Sequence, residues 1–238
     1  MTVWGVDIGH TRLKWAILSP VVTPAQARVQ FHHFEAEGYD HFSEVFLDRI
    51  WGSLVPPQVL WVADVCQVTP LLKAWVAQRW GSEVVTLTSE AAFGGVISGY
   101  QKPEILGIDR WLDLLGAWAL YPQETSLVID AGTYITADLL LESGQHAGGV
   151  IVPGLMPSKL FCLGHTTQAC LAAGAEVLSR GFVPQVIQEV QKTVPHLKNV
   201  ILTGGDAPHF EIKSTNTNCV IEPHLLWEGL RCRMVQLA

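Results

Sequence analysis

Ser126-Leu127-Val128-Ile129-Asp130-Ala131-Gly132-Thr133-Tyr134-Ile135-Thr136-Ala137-Asp138 reads as an apolar strand, a tight turn opening on Asp-x-Gly with Thr behind it, and a second strand. The N-terminus repeats the pattern. Val3-Trp4-Gly5-Val6 runs into Asp7-Ile8-Gly9-His10-Thr11-Arg12-Leu13-Lys14, and Trp15-Ala16-Ile17-Leu18 follows at once. Two hairpins of one design, one at the start of each half, form a weak internal repeat. They predict two related domains, residues 1–122 and 123–238. Facing each other, such domains bring both turns to one cleft, where small-molecule sites tend to lie. The first turn has parts that suit a metal-bound polyphosphate: a carboxylate, a hydroxyl, a lysine, and a glycine that lets a ligand approach the backbone. Taken alone, an ordinary polar hairpin turn has the same composition.

Working outward, strands alternate with helices. Gln30–Phe34 is a candidate strand, and its His32-His33 pair has no carboxylate or cysteine at ligand spacing. Phe42–Trp51 has helical periodicity, Val59–Ala63 is a buried strand, Leu71–Trp80 a helix stopped by Gly81, and Val84–Leu87 another strand. Beyond the second hairpin come an apolar strand at Ala147–Leu155, a helix of small residues after Thr166-Thr167, and an amphipathic helix at Pro184–Val194. A strand then enters a Gly204-Gly205 turn, and a last helix spans Leu225–Leu237. An opening hairpin followed by alternating strands and helices indicates an α/β fold with mixed sheets.

A Gly-rich loop, Phe93–Pro103, carries Tyr100 and leads into Leu106-Gly107-Ile108-Asp109-Arg110-Trp111-Leu112. The helix that follows is apolar on a wide face and ends at Tyr121-Pro122. Asp109 falls in or just before its first turn, where a carboxylate caps free backbone N–H groups. The same position beside Arg110 also suits a base next to a cation that holds an anionic substrate.

Bulk properties narrow the class. The chain has 238 residues, 49% hydrophobic and 16% charged, so it can bury sizeable cores. No apolar run approaches the ~20 residues of a membrane span, and the N-terminus lacks the pattern of a signal peptide. A net charge of −7 with no Lys/Arg cluster argues against nucleic acid as a partner. The five cysteines are scattered without a CxxC pair, as expected of reduced thiols in a cytoplasmic protein. The nine tryptophans are expected to anchor cores or interfaces. The P-loop, the dinucleotide fingerprint and the G-x-S-x-G elbow are all missing from the sequence.

Together the segments resemble the type III pantothenate kinases, members of the superfamily of actin-like ATPases and sugar kinases. The likeness rests on Asp7–Lys14, on Tyr100 with Gly107-Ile108-Asp109-Arg110, and on Asp130-Ala131-Gly132-Thr133. It also rests on Gly148-Gly149-Val150-Ile151-Val152-Pro153-Gly154 and Thr203-Gly204-Gly205-Asp206-Ala207, all in the family's order. The resemblance implies two similar ribonuclease-H/actin-like domains with the active site in the cleft between them. It implies ATP-dependent phosphorylation of pantothenate, with Mg²⁺ and a monovalent cation, K⁺ or NH₄⁺.

Carried over by residue, Asp109 is the general base. Asp7, Ile8, Gly9, His10, Thr11, Arg12, Leu13, Lys14 and Thr133 hold ATP. Tyr100, Gly107, Ile108, Asp109 and Arg110 contact pantothenate. Asp130 binds the monovalent cation, and Thr167 reaches substrate across a homodimer interface. An arginine suits an anionic substrate because its planar fork binds a carboxylate bidentately. Phosphoryl transfer asks mostly for positioning and charge stabilisation.

Three departures stand out. His10 replaces the family's usual Asn, and Tyr134 stands where a small residue is usual. The stretch 155–164 is shorter than the family pattern by roughly a helix's worth of residues. Two other readings of the same residues are a kinase of another small hydroxy acid and a regulatory protein that kept the fold without turnover.

Overall fold

The structure is a computed structural model describing residues 2–23, 26–154, 163–210 and 217–235. The chain packs as two compact units. One comprises Met1–Ser89, Glu104–Trp111 and Leu230–Ala238; the other comprises Glu90–Pro103 and Leu112–Gly229.

In the first unit, β1 (Val3–Ile8), β2 (Arg12–Thr23) and β3 (Gln26–Gly38) run antiparallel, and β4 (Val59–Asp64) and β5 (Glu83–Thr86) add in parallel. The sheet order is β3-β2-β1-β4-β5. Helices α1 (Glu44–Trp51) and α2 (Thr69–Arg79) belong to the same unit. Ser43 caps α1, its Oγ accepting from the Phe46 N–H at 3.2 Å, and Glu44 lies in the first turn, where the helix dipole favours an acid. Trp4, Val6 and Ile8 alternate onto one sheet face and join Phe46, Leu47, Trp51, Leu72 and Trp75 in the core. Trp51 is fully buried, with its ring edge-on to Trp4 and Trp15, each at 5.6 Å. Six of the nine tryptophans are buried, as cores anchored by tryptophan require.

The second unit opens with the small hairpin β6 (Ala92–Phe93) and β7 (Val96–Ile97), inside the Gly-rich loop. Its main sheet contains β8 (Ser126–Ala131), β9 (Tyr134–Leu140), β10 (His146–Pro153), β11 (Asn199–Thr203) and β12 (Asn218–Ile221). The order is β10-β9-β8-β11-β12, three antiparallel strands and then two parallel ones, the same arrangement as the first sheet. The repeat in sequence is therefore a repeat in topology, and the fold is α/β with two mixed sheets. One five-stranded sheet lies on each side of residue 122, while packing groups residues 90–103 and 112–122 with the second unit. Helices α3 (Ile108–Leu120) and α5 (Leu225–Val235) each carry residues of both units.

The separate helices expected after Thr167 and at Pro184–Val194 are one helix. α4 spans Thr167–Thr193, 27 residues, with Pro184 inside it. Proline removes one N–H from the ladder, at a cost of about 3 kcal/mol. Burial of Val183 and Ile187 beside Pro184, against Leu127, Ile129 and Leu202, offsets that cost. Strand β3 is also longer than the expected Gln30–Phe34.

Candidate active site

Asp7 and Asp130 hold equivalent positions, each one residue before the end of the first strand of its hairpin. Each turn closes on its glycine: Gly9 N–H donates to the Arg12 carbonyl and Gly132 N–H to the Tyr134 carbonyl, both at 3.0 Å. The first turn is a residue longer, since Ile8 pairs with Leu13 but Ala131 with Ile135.

In the first unit, Asp7 points away from the Trp4/Val6/Ile8 face, and its side chain is only 5% exposed. Lys14, its register partner on β2, places Nζ 3.0 Å from the Asp7 carboxylate. The ammonium offsets the cost of keeping that carboxylate out of water. Gly9 is half-buried, and His10, Thr11 and Arg12 are exposed around the turn. Tyr39, just after β3, fastens this turn from behind: its N–H donates to the Thr11 carbonyl at 3.0 Å, and its hydroxyl donates to the Gly9 carbonyl. The Tyr39 ring packs on Phe42 and Phe46, and burial pushes its phenol well above the usual range.

Asp109 belongs to this unit, in the first turn of α3. Its Oδ1 accepts the Arg110 N–H at 2.8 Å, so it does serve an orphan donor of the helix. That role does not account for its charge environment. The residue keeps a partly open surface, yet its carboxylate lies deep enough that burial, reinforced by the Asp7 carboxylate, holds its pKa above the ordinary value. The Arg110 N–H, the Arg110 guanidinium and Lys14 pull the other way. A carboxylate with raised proton affinity is matched to accepting a proton from an alcohol. Gly107 precedes it with its carbonyl taking the first helical bond from Trp111, while Ile108 and Arg110 are both buried.

In the second unit, Asp130 is half-buried and Thr133 and Tyr134 are exposed. Gly204, at φ +89°, packs tightly on this turn: a Cβ there would collide with the Asp130 Oδ1 and with the Ala131 carbonyl, which accepts the Asp206 N–H at 2.9 Å. Tyr100 is half-buried and stacks on His146, with ring centroids 5.9 Å apart. Thr167 is the exposed first residue of α4, behind Thr166, whose hydroxyl caps the helix by accepting from Ala169 N–H. The shortened stretch 155–164 falls largely outside the described residues. Cys66, Cys170 and Cys219 carry no disulfide. Among the described residues no helix is long and apolar enough to cross a membrane.

Several residues of these surroundings were not singled out from sequence. Asp64 ends β4, in register with Ile8, and accepts from the Cys66 N–H, the Thr69 N–H and the Thr69 hydroxyl at 2.6–2.7 Å. The signal for it was present: an acid at the carboxyl end of a buried strand, then Thr69-Pro70 opening a helix. Tyr39 and His146 carried no such local signal.

The sequence model of the type III pantothenate kinases matches residues 4–168. The chain belongs to that family. A type III pantothenate kinase from Colwellia psychrerythraea is 34% identical over 221 residues, spanning 84% of each chain. Another from an Azoarcus strain is 34% identical, covering 94% of this chain and 88% of its own. Two solved structures share the fold. A Campylobacter jejuni protein described as a Baf family transcriptional activator matches at TM-score 0.52 and 19% identity, over all of this chain and 98% of its own. The activator of 2-hydroxyisocaproyl-CoA dehydratase from Clostridium difficile, solved with ADPNP, matches at TM-score 0.50 and 13% identity, covering 100% and 97%.

Proposed function

We propose that this protein transfers the γ-phosphoryl group of ATP to the primary hydroxyl of pantothenate, giving 4′-phosphopantothenate for coenzyme A synthesis. The observation that carries the reading is Asp109: a carboxylate raised in proton affinity by burial and by Asp7, on a chain of this family. Asp109 accepts the hydroxyl proton as the oxygen attacks the γ-phosphorus. The new P–O bond forms as the bond to the β–γ bridging oxygen breaks, and ADP leaves with that electron pair.

The other residues have complementary roles. Asp7 through Lys14, with Thr133, hold ATP. Tyr100, Gly107, Ile108 and Arg110 hold pantothenate, Arg110 toward its carboxylate. No group of three His, Cys, Asp or Glu side chains among the described residues forms a metal cage. Mg²⁺ is commonly held by phosphate oxygens and water with one or two carboxylates, a role assigned here to Asp7, whose carboxylate stands at the first turn beside Lys14. Bound Mg²⁺ neutralises phosphate charge. The half-buried Asp130 carboxylate, one residue before the end of β8, offers an oxygen donor suited to K⁺ or NH₄⁺.

The functional halves are 1–122 and 123–238, each with one copy of the repeated sheet. The protein works as a cytoplasmic homodimer in which Thr167 reaches the partner's substrate. Support for the dimer comes from α4, where Leu171, Val177 and Leu178 are 70%, 51% and 76% exposed. Apolar side chains gathered on one helix mark an interaction surface.

The test is ADP release from ATP and Mg²⁺, with and without pantothenate, in potassium and in sodium buffer. Release that needs both pantothenate and potassium supports substrate, reaction and the Asp130 ion together. Release with pantothenate in either buffer keeps the kinase and removes the ion assignment. No release from folded protein in any buffer overturns the reading and favours a regulatory role.

A further inference from the structure

Behind Tyr100, within the second unit, lies a buried pair that the reaction does not use. His146, the first residue of β10, is fully buried, and Asp138 on β9 is 2% exposed. The two side chains meet at 2.9 Å, His146 Nε2 to Asp138 Oδ1. The other ring nitrogen, Nδ1, accepts the Gly99 N–H at 3.4 Å. An Nδ1 that accepts leaves the proton on Nε2, so the imidazole donates to the Asp138 carboxylate. The same ring stacks on Tyr100, with the planes 16° apart.

His146 thus touches the Tyr100 loop at two consecutive residues, by a hydrogen bond to Gly99 and by stacking on Tyr100. The loop backbone comes so close that a Cβ at Gly99 would collide with the His146 carbonyl. Further ties lie on either side. Ile97 N–H donates to the Gly144 carbonyl at 2.9 Å, Ile97 and Gln145 form a parallel bridge, and Gln145 Nε2 donates to the Ile97 carbonyl at 3.4 Å.

We infer that His146, held by Asp138, is a positioning residue that sets the place of Tyr100 and so the affinity for pantothenate. The inference rests on the reading of Tyr100 as a pantothenate contact. A buried histidine with one nitrogen on a carboxylate and the other on the loop backbone has a fixed ring plane, and that plane is the shelf on which Tyr100 lies. Binding a flexible hydroxy acid costs less when its contact is already ordered.

The experiment compares wild type with His146→Phe and Asp138→Asn. Phenylalanine keeps an aromatic ring for Tyr100 and removes both hydrogen bonds. Asparagine keeps a partner of similar size while removing the charge that fixes the ring. Two readouts are taken on protein whose melting confirms folding: amide hydrogen exchange of residues 94–101 without substrates, and KM for each substrate with kcat. Loss of one well-placed hydrogen bond is worth up to about tenfold. The expected result is faster exchange in 94–101 in both variants, pantothenate KM raised about tenfold in His146→Phe, and ATP KM and kcat close to wild type.

Unchanged exchange in His146→Phe overturns the fastening of the loop. Faster exchange with unchanged pantothenate KM overturns the positioning role. Parallel loss for both substrates assigns the pair to general stability and also overturns it. A folded wild type that does not phosphorylate pantothenate overturns the functional reading itself, and the exchange data still report whether His146 fastens the loop.

Discussion

Gly107 leaves the room that the Asp109 carboxylate occupies: a Cβ at position 107 would stand 2.6 Å from Asp109 Oδ1. The glycine two residues before Asp109 therefore sets where that carboxylate points. Gly107→Ala pushes the carboxylate aside without touching the core. Misplacement of a catalytic group by ~1 Å costs on the order of a hundredfold. The expected outcome is a kcat loss of about that size with nearly unchanged melting, measured by steady-state kinetics and calorimetry.

Asp109 itself links function to stability. Its folded-state pKa is raised, so its protonated form is favoured by the fold. Such a group contributes stability below its unfolded pKa and loses it as pH rises through the folded value. At neutral pH the buried charge is a cost, and Asp109→Asn removes it. The variant is expected to melt higher than wild type at neutral pH, with the gap closing as pH falls toward the ordinary carboxylate range. Thermal unfolding across pH 4 to 8 checks this. In wild type the acid limb of kcat/KM falls above the ordinary aspartate value, since the base must be deprotonated.

Tyr39→Phe removes the hydroxyl that donates to the Gly9 carbonyl and leaves the ring on Phe42 and Phe46. A lost hydrogen bond of this kind costs about 1 kcal/mol. The expected effect is a modest fall in melting temperature, with ATP KM raised more than pantothenate KM, because the bond fastens the first turn.

Leu178→Asp places a charge among the exposed apolar residues of α4. Light scattering is expected to show a dimer for wild type and a monomer for the variant at the same concentration, with far-ultraviolet circular dichroism unchanged. A variant that stays dimeric moves the interface elsewhere.

Much of the fold was legible because its signals are local. Asp-x-Gly between two apolar strands specifies a hairpin by turn chemistry alone, and its recurrence at Asp7 and Asp130 exposed the repeat that the two sheets share. Pro184 misled for the same reason: proline reads as a stop when viewed locally, but burial of Val183 and Ile187 carries α4 through it. The site divides along the same line. Asp7, Lys14 and Asp109 follow from strand ends and a helix entry. Tyr39 reaches Gly9 from 30 residues away and His146 reaches Gly99 from 47, so nothing in the neighbouring sequence announces either contact.

The central claim is that Asp109 is the base for phosphorylation of pantothenate. Its most direct test is mass detection of 4′-phosphopantothenate from ATP, Mg²⁺ and pantothenate, with wild type and Asp109→Asn side by side, after binding of both substrates is confirmed by calorimetry. The account predicts product from wild type, and a variant that binds both substrates but turns over at least about a hundredfold more slowly. Product at the wild-type rate from Asp109→Asn would contradict it.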